Sequence, residues 1–493
     1  MRGTKAVLAA FLFVAVASCS PSDPGGQASS SAASPRATPR TGSVSPTASP
    51  TTGGSTPLEP GGPIKHVVFI VKENRTFNQL FATYPGATGS LRGATMTCSA
   101  ERCRPGRTVR LTRAPDVMPH DINHCFLCGA VAIDGGRMDG FNRLNGVRPR
   151  HSNEDSAYLG WDLLGYTHYT RADIPQYWAY ADRFVLADRF FTSMYGPTFP
   201  EHLFTVAASS NLIVGNKQET TDPGGYCDDP GESAPRFREH LTDEQIARLM
   251  FLEENIDRDP RYQEEIRSLW RQYRLCFDMR ILPDELQAAG VSWTYYATEN
   301  GWNNALQAIR HVRFGRMWKH VQAPDRFLDD VREGRLASVS WLIPPPPYDE
   351  HPGAGKSMCS GENWTVQQVN AVMRSRYWHS TVIVVVWDDF GGFYDPVPPP
   401  HVDIMGMGPR TPALIISPFS RAGSNREGGS VDHTTYEFSS VLAMIERLHG
   451  LEPMAERDAR ADPLSGALDL EHPNFHRLIL PYRDDCPYPL GGT

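Results

Sequence analysis

The chain has 493 residues, 40% of them hydrophobic, enough for one large α/β domain with insertions or for two domains with a sizeable core. Its formal net charge is −8 with 16 His counted as neutral, a mild acidic excess that argues against a nucleic-acid binder held by a basic surface. Arg2 and Lys5 precede the apolar stretch Ala6 to Ala17, the layout of an export signal over residues 1–19.

Val16-Ala17-Ser18-Cys19 resembles a bacterial lipobox, whose Cys becomes the acylated first residue of the mature protein. The alternative is an ordinary cleaved signal peptide. The apolar run is short for a membrane span, and no other segment approaches the roughly 20 apolar residues a span needs. Residues 20–62 are almost all Ser, Pro, Thr, Gly and Ala. They cannot bury a core and are expected to form a disordered tether.

Ile64 to Val71 is a candidate buried strand, with Lys72-Glu73-Asn74-Arg75-Thr76 crowded at its carboxyl end. Residues 91–150 are polar and Gly-rich, too much so for a core element. They read as an active-site loop or a disulfide-pinned surface loop, with His124 near the middle. Tyr177 to Phe191 carries a helix end and a strand. Thr198 follows Gly196-Pro197 and precedes the apolar Leu203 to Ala208. A hydroxyl opening a helix is ordinarily an N-cap; the other reading is a nucleophile beside a helix N-terminus, where amides stabilise anions.

Leu241 to Arg274, dense in Glu, Asp and Arg, reads as solvent-exposed helices in an insertion near 235–275. Val291 to Ala297 and Ser338 to Ile343 are strands, the second leading through four prolines to Asp349-Glu350-His351. Thr381 to Trp387 is β-branched without polar alternation, a central strand covered on both faces. Asp388 and Asp389 follow at once, at the strand end where ligands sit in open α/β sheets. Adjacent like charges there are costly unless a cation or hydrogen bonds compensate them; the alternative is a turn with a solvated Asp pair. Glu73 and Asn74 offer oxygen donors at the same sheet edge, a set suited to Mg²⁺, Ca²⁺ or Mn²⁺. Pro412 to Ser417 is a further strand. Thr434 to Leu448 is a helix, with Thr434 and Glu437 spaced as a capping box and Gly450 beyond its end.

Without Cys19 the chain keeps eight cysteines, an even number in an oxidising compartment. The expected pairs are Cys98–Cys103, Cys125–Cys128, Cys227–Cys276 and Cys359–Cys486. Cys125-Phe126-Leu127-Cys128 could be half a zinc site, but no second CxxC completes it. Walker A, HExxH and GxSxG patterns are absent, and Gly406-Met407-Gly408 lacks the third glycine of a dinucleotide fingerprint.

Residues 64–77, IKHVVFIVKENRTF, resemble the IKHVVVLMxENRSFD opening of the bacterial phosphoesterase family, which includes non-specific phospholipases C and certain acid phosphatases. Gly196-Pro197-Thr198-Phe199-Pro200, Glu350-His351-Pro352, Trp387 to Asp395 and Gly408 to Pro418 resemble its later blocks, in the family's order. The resemblance implies an alkaline-phosphatase-like α/β fold over residues 63–493, a three-layer α/β/α sandwich with a mostly parallel sheet. It implies that Glu73, Asn74, Asp388 and Asp389 hold a divalent metal (Ca, Mg, Mn or Zn). It makes Thr198 the nucleophile, with His124 and His351 binding phosphoryl oxygens or moving the leaving-group proton. Pro396 stands where members often carry His, leaving one such role unfilled. Glu201 stands where Asn is expected and should alter the pocket rim. Larger phospholipase C members carry C-terminal β domains, which this chain is expected to lack.

The expected protein is an exported phosphoesterase, anchored at a membrane through Cys19. It would hydrolyse a phospholipid or small phosphate ester through a phosphothreonine, with phospholipase C the first subtype and acid phosphatase the close alternative. A non-catalytic surface-binding lipoprotein would not need Glu73, Asn74, Thr198, Asp388 and Asp389 together. A sulfatase-like hydrolase would need Cys or Ser at position 198.

Overall fold

In the computed structural model, residues 58–98, 103–144, 163–217, 225–353, 355–488 and 490 are described. The leader, Cys19 and the tether up to residue 57 lie outside them. The main sheet has eight strands among the described residues, the inner ones mostly apolar: β1 (His66–Lys72), β2 (Val185–Ala187), β3 (Trp293–Tyr296), β4 (Val321–Gln322), β5 (Val339–Leu342), β6 (Thr381–Trp387), β7 (Ala413–Ile416) and β8 (Ser430–Asp432). They lie in the order β4-β3-β5-β1-β6-β7-β2-β8. All neighbours are parallel except around β7, which runs antiparallel to β6 and β2. Every residue of β6 is buried, as its unbroken apolar run requires.

Helices cover both faces. On one, α3 (Thr198–Ala207) and α5 (Phe438–His449) pack together: Phe69 of β1 meets Phe438, and the Trp341 indole of β5 donates to the Thr205 carbonyl at 2.8 Å. On the other lie α2 (Pro175–Arg183) and α4 (Met358–Arg374), where Tyr177 stacks edge-on against Trp387 and Lys72 donates to Thr365 at 3.0 Å. A buried ion pair sits in this layer, Lys72 Nζ to Glu350 Oε1 at 2.7 Å. Tyr177, Trp387 and the Gly361 carbonyl complete its hydrogen bonds at 2.6–2.8 Å. Removing one partner of such a pair costs about 3–5 kcal/mol. Its place in the fold is to pin the end of β1 to the loop that carries His351.

The four expected disulfides are all formed. Three sequence expectations are corrected. The loop of residues 91–150 contains a buried helix, α1 (Phe126–Ile133), whose Phe126 ring packs against Phe237 and Tyr195. The acidic, Arg-rich stretch is helical at Asp243–Glu254 and Pro260–Ser268, but Trp270–Arg274 is a strand antiparallel to Ser233–Phe237. Helix α5 begins at Phe438, not Thr434. Glu437 is its N-cap residue, and the Glu437 carboxylate is held by Arg457 at 2.9 Å.

Candidate active site

β1 and β6 pair in register from His66 beside Thr381 to Lys72 beside Trp387, and the Asp388 amide extends the ladder to the Lys72 carbonyl at 2.8 Å. The residues that follow each strand are therefore delivered to one place. Glu73, Asn74, Asp388 and Asp389 are all buried there. Asn74 holds a positive φ of 59°, a conformation Asn tolerates better than most residues. In it the Asn74 amide donates to Asp388 Oδ1 at 2.8 Å, and the Asp389 amide reaches the same oxygen at 2.7 Å. Asp389 Oδ1 accepts from the Gly391 amide at 2.7 Å. Backbone amides thus aim both carboxylates.

Thr198 is the first residue of α3. Pro197 occupies the cap position and has no side-chain acceptor to offer. The Thr198 hydroxyl instead lies 3.4 Å from Asp389 Oδ2 and 3.5 Å from Glu73 Oε2. The ordinary N-cap reading therefore fails. The Phe199 amide already donates to Asn216 Oδ1 at 2.8 Å, so it is not among the groups an anion could use.

His124 Nδ1 is bound to the Ile122 carbonyl at 2.7 Å, which turns Nε2 toward the site, 3.2 Å from Asn74 Nδ2 and 3.8 Å from Asp389 Oδ2. His351 stands one ring further out. Its centroid lies 5.9 Å from that of His124, its Nδ1 is bound to the Pro352 carbonyl at 2.8 Å, and its side chain is 25% exposed, so solvent reaches it. Two glycines wedge the His124 loop in place. A Cβ at Gly196 (φ +100°) would fall 2.5 Å from the His124 carbonyl oxygen, and one at Gly392 (φ +77°) 2.4 Å from Ile122 Cγ2.

All seven residues named from the sequence are thus gathered at one sheet edge. Sequence reasoning missed two others. His202, fully buried on α3, puts Nε2 3.6 Å from Glu73 Oε1 and 3.9 Å from Asp388 Oδ2. Its four-residue spacing from Thr198 on a helix was the available signal. Asn303 donates to Glu73 Oε1 at 3.0 Å from a loop with no distinguishing pattern. Glu201 is not at a pocket rim: it is fully buried and accepts from the Ser193 and Met194 amides at 3.1 and 3.0 Å.

Burial raises Asp388 and Asp389 to about 7. The Glu73 charge adds to the first; on the second, His124 opposes the rise while Asp388 adds to it. Glu73 is raised as well, by burial and then by the Asp349 charge. Burial acts to lower His124, but the carboxylates of Asp389 and Asp121 outweigh it and hold the ring near 9; burial drives His351 down to about 4.

Three carboxylates buried together ionise only against a positive charge, and the donors fit a divalent cation. Asp388 Oδ2 is buried with no hydrogen-bond partner among the described residues. With the Asn74 nitrogen turned to His124, the amide oxygen faces Glu73 and Asp388, an acceptor among acceptors, which a cation would satisfy. Turned over, the amide would donate to them at 3.2 and 3.1 Å.

The chain belongs to the Phosphoesterase family, whose model matches residues 64–452. It is similar to phospholipase C A of Mycobacterium tuberculosis, 25% identical over 482 residues that cover 87% of this chain and 81% of the relative. It is also similar to the non-hemolytic phospholipase C of Pseudomonas aeruginosa (24% identical, 83% of this chain, 58% of the relative). The non-specific phospholipase C6 of Arabidopsis thaliana is 21% identical over 87% of this chain and 75% of its own. Family and relatives make the chain a phosphoric ester hydrolase.

Proposed function

We propose that this chain is a metal-dependent phospholipase C with an alkaline-phosphatase-like sandwich. It attacks phosphorus with Thr198 and is exported and lipid-anchored through Cys19. The observation that carries the reading is the Thr198 hydroxyl, free of any capping duty and facing Asp389 and Glu73. The relatives' names support the phospholipase subtype.

A divalent cation held by Glu73, Asn74, Asp388 and Asp389 would offset charge on the phosphoryl oxygens and favour the alkoxide of a nearby alcohol. The protein's own groups do the rest. Thr198 Oγ1 bonds to phosphorus as the ester bond to the lipid alcohol breaks. Asp389 Oδ2 and Glu73 Oε2 are the nearest acceptors for the hydroxyl proton. His124, whose Nε2 is turned into the site 3.8 Å from Asp389 Oδ2, binds the phosphoryl group and gives the leaving oxygen its proton. His351, neutral and reached by solvent, takes a proton from the water that cleaves the phosphothreonine. His124 inside the site and His351 one ring further out, with a side chain 25% exposed, are placed to divide the acid and base roles.

Thr198→Ala tests the mechanism. It should lower kcat by about a thousand-fold or more with little change in stability, and Thr198→Ser should keep part of the activity. Quenched turnover followed by mass spectrometry should find the headgroup phosphate, phosphocholine when phosphatidylcholine is the substrate, on the Thr198 peptide. A fully active Thr198→Ala enzyme removes the covalent route. Assays on phosphatidylcholine, p-nitrophenylphosphocholine and p-nitrophenyl phosphate, with and without chelator, test the subtype. Turnover of the monoester alone would make the enzyme a phosphatase.

A further inference from the structure

His202 has no part in the reaction proposed above, yet it forms one wall of the site. It is fully buried, and neither ring nitrogen has a hydrogen-bond partner among the described residues. Burying an unpaired polar group costs free energy, so an imidazole with both nitrogens unsatisfied calls for a ligand. Asp388 Oδ2, 3.9 Å away, is unsatisfied too. Donor atoms of Glu73, His202 and Asp388 all lie within 4.8 Å of one another. An ion pair does not account for the arrangement: 3.6 and 3.9 Å exceed the roughly 2.7–2.9 Å of a charge-assisted hydrogen bond. The spacing is that of donors around a shared ion.

We propose that His202 Nε2 is a further ligand of the cation held by Glu73, Asn74, Asp388 and Asp389, and that this nitrogen selects a transition ion of the zinc type over Ca²⁺ or Mg²⁺. The proposal rests on the metal-dependent reading of the site. Ca²⁺ and Mg²⁺ take oxygen ligands, whereas imidazole suits zinc and its transition-metal neighbours. Because Thr198 and His202 are one turn apart on α3, the helix that presents the nucleophile also fixes the nitrogen donor.

The test is Zn²⁺ K-edge X-ray absorption of the loaded full-length enzyme, with Zn²⁺, Mg²⁺ and Ca²⁺ titrations of wild type, His202→Gln and Asp389→Ala. Wild type should show imidazole scattering. His202→Gln should lose it, bind Zn²⁺ at least about ten-fold more weakly, and keep its Mg²⁺ and Ca²⁺ affinities within about two-fold. Absence of imidazole scattering in wild type overturns the proposal without any variant. So does its survival in His202→Gln, or an unchanged Zn²⁺ affinity there. Asp389→Ala separates the two levels: it should weaken all three ions, and if it weakens none, the metal-dependent reading itself falls.

Discussion

Asp389 meets three parts of the chain at once. One oxygen takes the Gly391 amide at 2.7 Å, while the other faces the Thr198 hydroxyl at 3.4 Å and His124 Nε2 at 3.8 Å. Its loss should therefore be read in two signals. Asp389→Ala is expected to lower the metal content measured by elemental analysis and to drop kcat, while far-UV circular dichroism stays that of wild type because β6 is packed from both faces. A folded variant that keeps its metal and turns over normally would show that Asp389 is no ligand. The acidic residues were legible in the sequence because two buried strands each end in polar donors. His202 was not, since it ends no strand and a four-residue spacing from Thr198 is shared by any two residues on one helix face.

Among the elements, the end of α5 carries a carboxyl in an unfavourable place. Glu446 lies in the last turn, where the helix dipole disfavours negative charge, and is 2% exposed. Burial and then the Asp458 charge raise it to about 8. In the unfolded chain a Glu titrates near ~4.3, so between these values the folded state binds more protons than the unfolded one. The stability Glu446 contributes is full below ~4.3 and is lost as pH rises through about 8. Urea midpoints should show Glu446→Gln more stable than wild type at pH 8.5 and close to it at pH 4; an equal difference at both would refute the assignment. The same helix shows where local pattern fails. Thr434 and Glu437 have capping-box spacing, but Phe190 pairs with Tyr436 in a β-bridge, and that long-range pairing keeps the backbone extended to Glu437. Trp270–Arg274 was read as helix for a similar reason: its partner strand, Ser233–Phe237, lies beyond two intervening helices, so no hairpin signal joins them.

For the whole molecule, the proposed anchor decides where the enzyme works. Among the described residues no helix is long and apolar enough to cross a membrane. Cys19→Ala should move the protein from the membrane to the soluble fraction on cell fractionation; unchanged membrane association would remove the lipid anchor. At the far end, the Cys359–Cys486 bridge ties the tail to α4, where Asn363 and Asn370 donate to the Arg483 and Leu480 carbonyls at 2.7 and 2.8 Å. Closing a loop of about 100 residues is worth up to ~4.7 kcal/mol in the chain-entropy account. The inner strands were readable in advance because they are mostly apolar; the edge strands Val321–Gln322 and Ser430–Asp432 are short and partly polar and gave no such signal.

The two glycines against the His124 loop bear on how the site is held. Gly196 lies two residues before Thr198 and Gly392 follows the aspartates; the first packs against the His124 carbonyl and the second against the Ile122 side chain. A side chain at either glycine would press on the loop that carries His124, so Gly196→Ala or Gly392→Ala is expected to displace that ring and lower kcat. Close packing without side chains at these two positions favours alignment of the proposed reacting groups ahead of substrate, with His351 on the side open to solvent.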